Sequence, residues 1–174
     1  MIEKVCSHRM VEKQATPKAP YHFLDSGLSN VYLVGIKYWE CAACGAAAAE
    51  IPAPIQLMKV IAESIVMKRG ILRGAEIRFL RKRMGKKAID FAELIGKSAE
   101  HLSKLETGKL NITAPLDKLI RLTYGVFCED RGLLTQIKRD VETWMKSISK
   151  SAEAVPIQIK KTGPHDWKQS PRAA

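Results

Sequence analysis

The chain contains 174 residues, which at ~150 residues per domain is enough for one ordinary domain or two small ones and too few for a TIM barrel. Its composition, 46% hydrophobic and 27% charged, is typical of a globular protein and excludes a chain that is disordered throughout. The 29 lysines and arginines outnumber the 18 acidic residues and give a formal net charge of +11, which favours a polyanionic partner.

The N-terminal segment MIEKVCSHRM lacks the uninterrupted apolar stretch of a secretory signal. No later window approaches the ~20 apolar residues that a membrane span requires. We therefore expect a cytoplasmic protein with no membrane partner, a compartment in which disulfides are rare. Cys6, Cys41 and Cys44 are then candidate metal ligands, whereas Cys128 is most simply a core or interface residue.

The first 50 residues are predicted to form a small β-rich domain. Strand signals cover residues 21–23 and 31–40, which are separated by a turn through Asp25 and Gly27. Residues 46–51 are a weaker candidate for a third strand because alanine is a poor strand former. Residues 51–70 are predicted to form a linker helix, since Pro52 and Pro54 suit a helix start and apolar residues then repeat at helical spacing.

Residues 71–147 are predicted to form an all-helical domain. The pattern over 72–127 indicates four short helices, with Gly85, Gly96 and Gly108 at their ends and Ser98 as the cap of the third. A fifth helix is expected over 132–147, with an apolar side. Residues 148–174 contain several proline and glycine residues and are expected to be a flexible tail. The predicted fold class is therefore α+β.

A helix over 87–95, a turn at Gly96 and a helix over 98–107 have the spacing of a helix-turn-helix. Ala92 falls where the first helix must pass close to the second, and Gly96 falls where the chain must reverse. Leu102 and Leu105 then face the core. The alternative is an ordinary helical hairpin with a solvated outer face.

Charge favours the DNA-binding interpretation, because residues 73–109 contain ten basic and five acidic side chains. A basic cluster around a helix-turn-helix is typical of phosphate contact. The predicted partner is a double-stranded DNA operator, and the predicted contact residues are Arg73, Lys87, Lys97, Ser98, Ala99, Glu100, His101, Ser103, Lys104 and Lys109.

The stretch LRKRMGKKAIDFAELIGKSAEHLSKLETGKLNI resembles the Xre/Cro family of DNA-binding domains, with Leu-Arg near the end of the first helix, Phe-Ala in the second and Ser-Lys-x-Glu-x-Gly in the third. The resemblance implies a structural ion pair between Arg81 and Glu106. Two positions depart from the family: Ala88 stands where glutamine is frequent, and Glu100 where an amide or basic side chain is frequent. Glu100 could accept a hydrogen bond from a cytosine amino group, or it could point away from DNA.

The run YHFLDSGLSNVYLVGIKYWECAACG, with EIPAPIQLMKVIA and LRGAEIRFLRKRMG after it, resembles the MqsA family of antitoxins, also called YgiT-type zinc-finger regulators. These join a small zinc-binding domain to an Xre/Cro helix-turn-helix. The resemblance covers about residues 6–127 and implies a zinc-ribbon-like N-terminal domain. It also implies a repressor that neutralises a ribonuclease toxin, its cognate partner, and represses their shared operon.

The zinc ligand set of that family is incomplete here, because its Cys-x-x-Cys knuckle is replaced by Cys6, Ser7, His8 and Arg9. A tetrahedral site would use Cys6, Cys41 and Cys44 with either His8 or His22. The alternative is a fold that persists without metal, with these cysteines as small buried side chains. A redox role for Cys41 and Cys44 is disfavoured because no βαβ pattern flanks them.

We expect no enzyme, since no acid–base pair, nucleophile constellation or phosphate-binding glycine loop is evident. We expect a homodimer on a palindromic operator, because one short recognition helix reaches only a few base pairs. The apolar side of the fifth helix, at Leu133, Ile137, Val141 and Trp144, could form its interface. The alternatives are a solitary regulator without a toxin and a protein-interaction adaptor that has lost DNA contact.

Overall fold

The computed structural model describes residues 8–127, 135, 143, 145, 146, 148 and 156–170. The chain divides into two compact units, one formed by Met1–Ile61 with Pro156–Ala174 and the other by Ala62–Val155. The described residues contain five α-helices and two small β-sheets. The α+β class is therefore confirmed.

The first unit contains both sheets. Its strands are β1 (Met10–Gln14), β2 (Tyr21–His22), β3 (Val31–Val34), β4 (Lys37–Cys41), β5 (Ala47–Ala49), β6 (Ile157–Lys161) and β7 (Trp167–Gln169). One sheet has the order β1-β4-β5 and is antiparallel throughout. The other has the order β2-β3-β6-β7, in which β3 and β6 run parallel. A 3₁₀ turn at Leu24–Ser26 follows β2, where the sequence predicted a turn.

The single strand expected over 31–40 is in fact two strands that belong to different sheets. Gly35 separates them with a φ of 84°, a left-handed conformation that glycine adopts without the Cβ penalty. Its amide donates to the carbonyl of Ala15 at 2.9 Å, and the amide of Ala15 donates to Ile36 at 2.9 Å. β-propensity alone did not show this bend, because residues on both sides of it are strand formers.

The flexible tail expected over 148–174 is wrong for part of its length, because β6 and β7 are ordered strands of the first unit. Ile157, Ile159 and Trp167 are all buried. The Trp167 indole also donates a hydrogen bond to the carbonyl of Pro52 at 2.9 Å. Ile157 and Ile159, two residues apart, are buried on the same face of β6. Their burial stabilises a strand here despite the proline and glycine content that suggested a tail.

Helix α1 (Pro54–Met67) confirms the predicted helix between the two modules, and the boundary between the units falls within it. Its start matches the proline signal. The helices of the second unit are α2 (Gly74–Arg83), α3 (Ala88–Leu94), α4 (Ala99–Glu106) and α5 (Ala114–Phe127). These match the four short helices predicted over 72–127.

Three glycines end helices of the second unit as predicted. Gly85, Gly96 and Gly108 have φ values of 66°, 66° and 73°. The core between the helices is aliphatic and aromatic, and it includes Leu80, Phe91, Ala92, Leu102, Leu105 and Ile120, each 1% exposed or less. The expected helix over 132–147, its apolar side and Cys128 fall largely or wholly outside the described residues, as does Cys6. Among the helices that are described, none is both long and apolar enough to cross a membrane.

Candidate functional site

The α3–turn–α4 segment has the close helix packing that the sequence predicted. Ala92 on α3 is 1% exposed and α3 packs against α4, so a larger side chain at this position would not fit without displacing its neighbours. The amide of Lys97 donates to the carbonyl of Ala92 at 2.8 Å, which closes the turn around Gly96. The second helix is therefore held in one orientation relative to the first.

Helix α4 presents a continuous polar face. Its N-cap is Ser98, whose hydroxyl accepts from the backbone amide of His101 at 3.1 Å, as predicted. Leu102 and Leu105 point into the core. The residues left on the outer face are Ala99, Glu100, Ser103 and Lys104, which are exposed, and His101, which is half-buried.

The predicted phosphate contacts fall into two groups. Lys87, Lys97 and Lys109 are exposed and lie next to α3 and α4. Arg73 is only 22% exposed, and its Nε lies 3.7 Å from the carboxylate of Glu76. The Arg73 side chain, at the start of α2, is therefore less available for a phosphate than the three exposed lysines.

Lys104 is also paired, since its Nζ lies 2.7 Å from the carboxylate of Glu100 one turn earlier on α4. Both side chains are more than half exposed, so this pair contributes little to stability. The consequence is electrostatic: Glu100 offsets the charge of Lys104 at the centre of the polar face.

The predicted pair of Arg81 and Glu106 is confirmed. Arg81 Nε donates to Glu106 Oε1 at 2.6 Å and Nη2 donates to Oε2 at 2.9 Å, which is a bidentate geometry. A third bond runs from Nη1 to the carbonyl of Lys86 at 3.0 Å. The hydrogen bond to Glu106 raises the pKa of the guanidinium, and the pair ties the end of α4 to α2.

A close backbone contact fixes the same end of α4. A Cβ built on Gly74 would lie 2.6 Å from the carbonyl oxygen of Glu106 and closer still to that of Leu105. Glycine at the start of α2 therefore allows the two helix ends to touch. This role is not predictable from the sequence, because an isolated glycine has no signal that separates close packing from a turn.

A buried charge network, which was not predicted, joins α5 to the end of α1. Arg121 is fully buried and pairs with Asp117, with Nε 2.8 Å from Oδ2. Its two terminal nitrogens donate to four backbone carbonyls at and after the end of α1, those of Ile65, Val66, Lys68 and Gly70. Arg121 thus caps the C-terminus of α1 with a cation, which the helix dipole favours. The i, i+4 spacing of Asp117 and Arg121 was the available signal.

Lys68 and Glu76 form a second buried pair, 6% and 1% exposed, with Nζ 2.6 Å from Oε2. Burial lowers the pKa of Lys68, and the negative charge of Glu76 opposes that effect. Glu76 also accepts from the backbone amide of Arg73 at 2.7 Å. The pair therefore anchors the start of α2.

Three predicted metal ligands that the structure describes lie together in the first unit. The ligand atoms of His8, Cys41 and Cys44 are all within 4.8 Å of one another. The strand register explains this, because Met10 pairs with Cys41 and so places the preceding residues beside the turn after β4. The amide of Gly45 donates to Cys41 at 2.9 Å and closes that turn.

The donor set fits zinc in chemistry, since two thiolates and an imidazole are ligands that zinc prefers. Cys41 and Cys44 are both free thiols. The other histidine considered, His22, lies elsewhere: its Nε2 is 2.9 Å from the carbonyl of Ser29 and its ring stacks on Tyr32. His8 is therefore the histidine near the cysteines.

Comparisons with protein-family models, with curated proteins and with solved structures found no match. The resemblance to a known family therefore rests on sequence motifs alone.

Proposed function

We propose that α3 and α4 form a DNA-binding helix-turn-helix and that the protein is a sequence-specific transcriptional repressor. The observation that carries the proposal is the polar outer face of α4, which is flanked by exposed lysines. Packing against α3 fixes the orientation of this face. A recognition helix needs this combination, because phosphate contacts set the register and side chains on the helix read base edges.

The residues divide into two roles. Lys87, Lys97 and Lys109 are exposed and would contact phosphates, where positive charge supplies sequence-independent affinity. Ser103 and Lys104 are exposed on α4 and would reach base edges. Glu100 adds discrimination, because a carboxylate repels phosphate and accepts a hydrogen bond from cytosine.

A DNA footprint tests this proposal. A homodimer would protect two half-sites about one helical turn, roughly 34 Å, apart on one face of the duplex. The duplex to use is the region upstream of the protein's own coding sequence, with a shuffled duplex of equal composition as the control. Equal protection of both duplexes, or no protection, contradicts the proposal and favours the adaptor alternative.

The first unit is proposed to be a small zinc-binding domain of the zinc-ribbon type. His8, Cys41 and Cys44 would hold the ion, and Cys6, two residues before His8 in the chain, is the natural fourth ligand. Bound zinc would cross-link the residues before β1 to the turn that follows β4 and so stabilise this unit.

Metal analysis of the purified protein tests the zinc site. We expect one equivalent of zinc, which the Cys41→Ser, Cys44→Ser variant loses together with several degrees of melting temperature. The matched control is Ser7→Ala, which changes a neighbouring residue outside the ligand set. Well under one equivalent, or an unchanged melting temperature in the double serine variant, contradicts this part of the proposal.

The antitoxin function, with a ribonuclease toxin as partner, is proposed from the sequence resemblance alone. Co-expression with the adjacent gene, followed by affinity purification, tests it directly. Capture of that gene product supports an antitoxin. Its absence, with DNA binding intact, favours the solitary regulator.

A further inference from the structure

The first unit contains a cleft whose lining residues do not include His8, Cys41 or Cys44. Its volume is about 420 Å³, within the range of ~300–1,000 Å³ that is usual for ligand sites. Its lining includes Tyr21, Asp25, Tyr38, Glu40 and Ala47.

The cleft is open because small residues stand where larger ones would fill it. On β5, Ala47 pairs with Glu40 and Ala49 pairs with Tyr38. Each alanine places only a methyl group beside the larger side chain of β4 with which it pairs. Gly45, at a φ of 71° in the turn before β5, adds no side chain of its own. Although alanine is a weak strand former, the small side chains of the alanine run thus help to leave the cleft open.

Two aromatic rings line one side of the cleft. The ring centroids of Tyr21 and Tyr38 are 5.2 Å apart with an interplanar angle of 50°. Burial, and to a lesser extent the negative charge of Asp25, raises the pKa of the Tyr21 hydroxyl above its ordinary value. Neutral tyrosine faces carry the negative quadrupole that attracts cations.

The charged residues that line this cleft in the described part of the chain are both acidic, Asp25 and Glu40. This is notable in a chain with a net charge of +11. The charge of Glu40 is partly offset by Lys13, whose Nζ donates to Glu40 Oε2 at 2.5 Å, and that hydrogen bond raises the pKa of Lys13. The acidic residues and the tyrosine rings therefore both favour a cationic ligand.

We propose that this cleft binds an arginine side chain of a partner protein. A planar guanidinium can stack on a tyrosine face and donate in parallel to a carboxylate, whereas the compact ammonium of lysine can do only one of these well. None of the residues proposed to contact DNA lines this cleft, so arginine binding there does not depend on DNA recognition by α4.

The test is a titration of the full-length protein with the peptide acetyl-Gly-Arg-Gly-amide, followed by amide chemical shifts in NMR. Two control peptides replace the arginine by citrulline, which is nearly the same shape without charge, and by lysine. We expect saturable shifts at residues 21–25 and 38–47 with the arginine peptide, weaker binding of the lysine peptide and none of the citrulline peptide.

The variant Asp25→Asn removes one charge from an exposed position without changing the side-chain shape. It should weaken arginine-peptide binding about three- to fivefold, the effect of one solvent-exposed ion pair. The matched control is Glu50→Gln, which makes the same charge change in the same unit outside the cleft and should leave the affinity unchanged. A second variant, Tyr38→Leu, should weaken binding through loss of the ring.

Three results overturn the proposal: equal affinity for the arginine and citrulline peptides, equal affinity of wild type and Asp25→Asn, or shifts confined to other surfaces. Sedimentation of the wild type and Asp25→Asn identifies the occupant further. A change in oligomeric state on substitution would mean that a second copy of the chain fills the cleft, which contradicts a separate partner. Unchanged sedimentation together with the peptide selectivity supports it.

Discussion

Removal of the Glu106 carboxylate should destabilise the helical unit and loosen the end of α4. In Glu106→Ala, the Arg81 guanidinium loses both bonds of the bidentate pair and keeps the one to the Lys86 carbonyl. Loss of one partner from a buried pair costs about 3–5 kcal/mol, whereas exposed pairs contribute only ~0.2–1 kcal/mol.

The two side chains are 12% and 10% exposed, so the effect lies nearer the buried limit. Some water reaches the site and one hydrogen bond remains, and we therefore expect a loss of about 2–3 kcal/mol. For a chain of this length, 1 kcal/mol corresponds to roughly 2–4 °C, so the melting temperature should fall by about 5–10 °C.

A double-mutant cycle isolates the pair from other effects of each substitution. Arg81→Met, Glu106→Ala and the double variant are unfolded in urea and followed by circular dichroism, with an expected coupling free energy of about 1.5–2.5 kcal/mol. The exposed pair of Glu100 and Lys104 is the matched control and should couple by ~0.3–0.5 kcal/mol. Equal, small coupling in both cycles would refute the structural role of Arg81 and Glu106.

Other substitutions test the remaining contacts. Gly74→Ala would normally stabilise a helix but should here cost about 1–3 kcal/mol in urea unfolding, because its Cβ would meet the backbone of Leu105; a gain in stability would contradict the close approach. Ser98→Ala should cost about 1 kcal/mol through loss of the N-cap bond, whereas Ser98→Gly should cost only a few tenths, and equal losses would contradict capping. Folding lowers the pKa of Lys68, so between the lowered pKa and the ordinary value of 10.5 the unfolded state binds more protons than the folded state. The contribution of Lys68 to stability should therefore rise as the pH increases through that range. The free energy of unfolding relative to Lys68→Met, Glu76→Gln measures this, and a difference that stays flat would contradict the shift.

The sequence predicted the helical unit well because its signals are local. Gly85, Gly96 and Ser98 each adopt the conformation or bond that their residue type favours at a helix end. The pair of Arg81 and Glu106 was implied by the family resemblance, and the structure confirms its geometry.

The first unit was predicted less completely because its sheets depend on pairing between distant segments. β1 was missed, since Met10–Gln14 is mostly exposed and its strand is defined by its register with β4. β6 pairs with β3 across more than a hundred residues, a contact that no local pattern shows. The same dependence on register brings His8 to Cys41 and Cys44, whereas the sequence left both His8 and His22 as candidates for this ligand.

Charged residues in the interior were the other omission. Composition suggests that charged residues are mostly exposed, and only partners decide which of them are not. Arg121 and Lys68 are buried because carbonyls and carboxylates from other segments surround them. The i, i+4 spacing could have pointed only to Asp117 as a partner of Arg121, and it gives no indication of the four carbonyls.

Salt-dependent binding of duplex DNA tests the proposed function most directly. The measurement is fluorescence anisotropy with the upstream duplex and a shuffled duplex over a range of salt concentrations, for the wild type and three single variants. We expect tighter binding of the upstream duplex by the wild type, a salt slope lower by about one unit in Lys97→Ala, and altered discrimination between duplexes in Lys104→Ala. Lys168→Ala, which removes an exposed lysine from β7 in the other unit, should change neither. Equal affinity for both duplexes, or the same slope in Lys97→Ala as in the wild type, would contradict a DNA-reading α4.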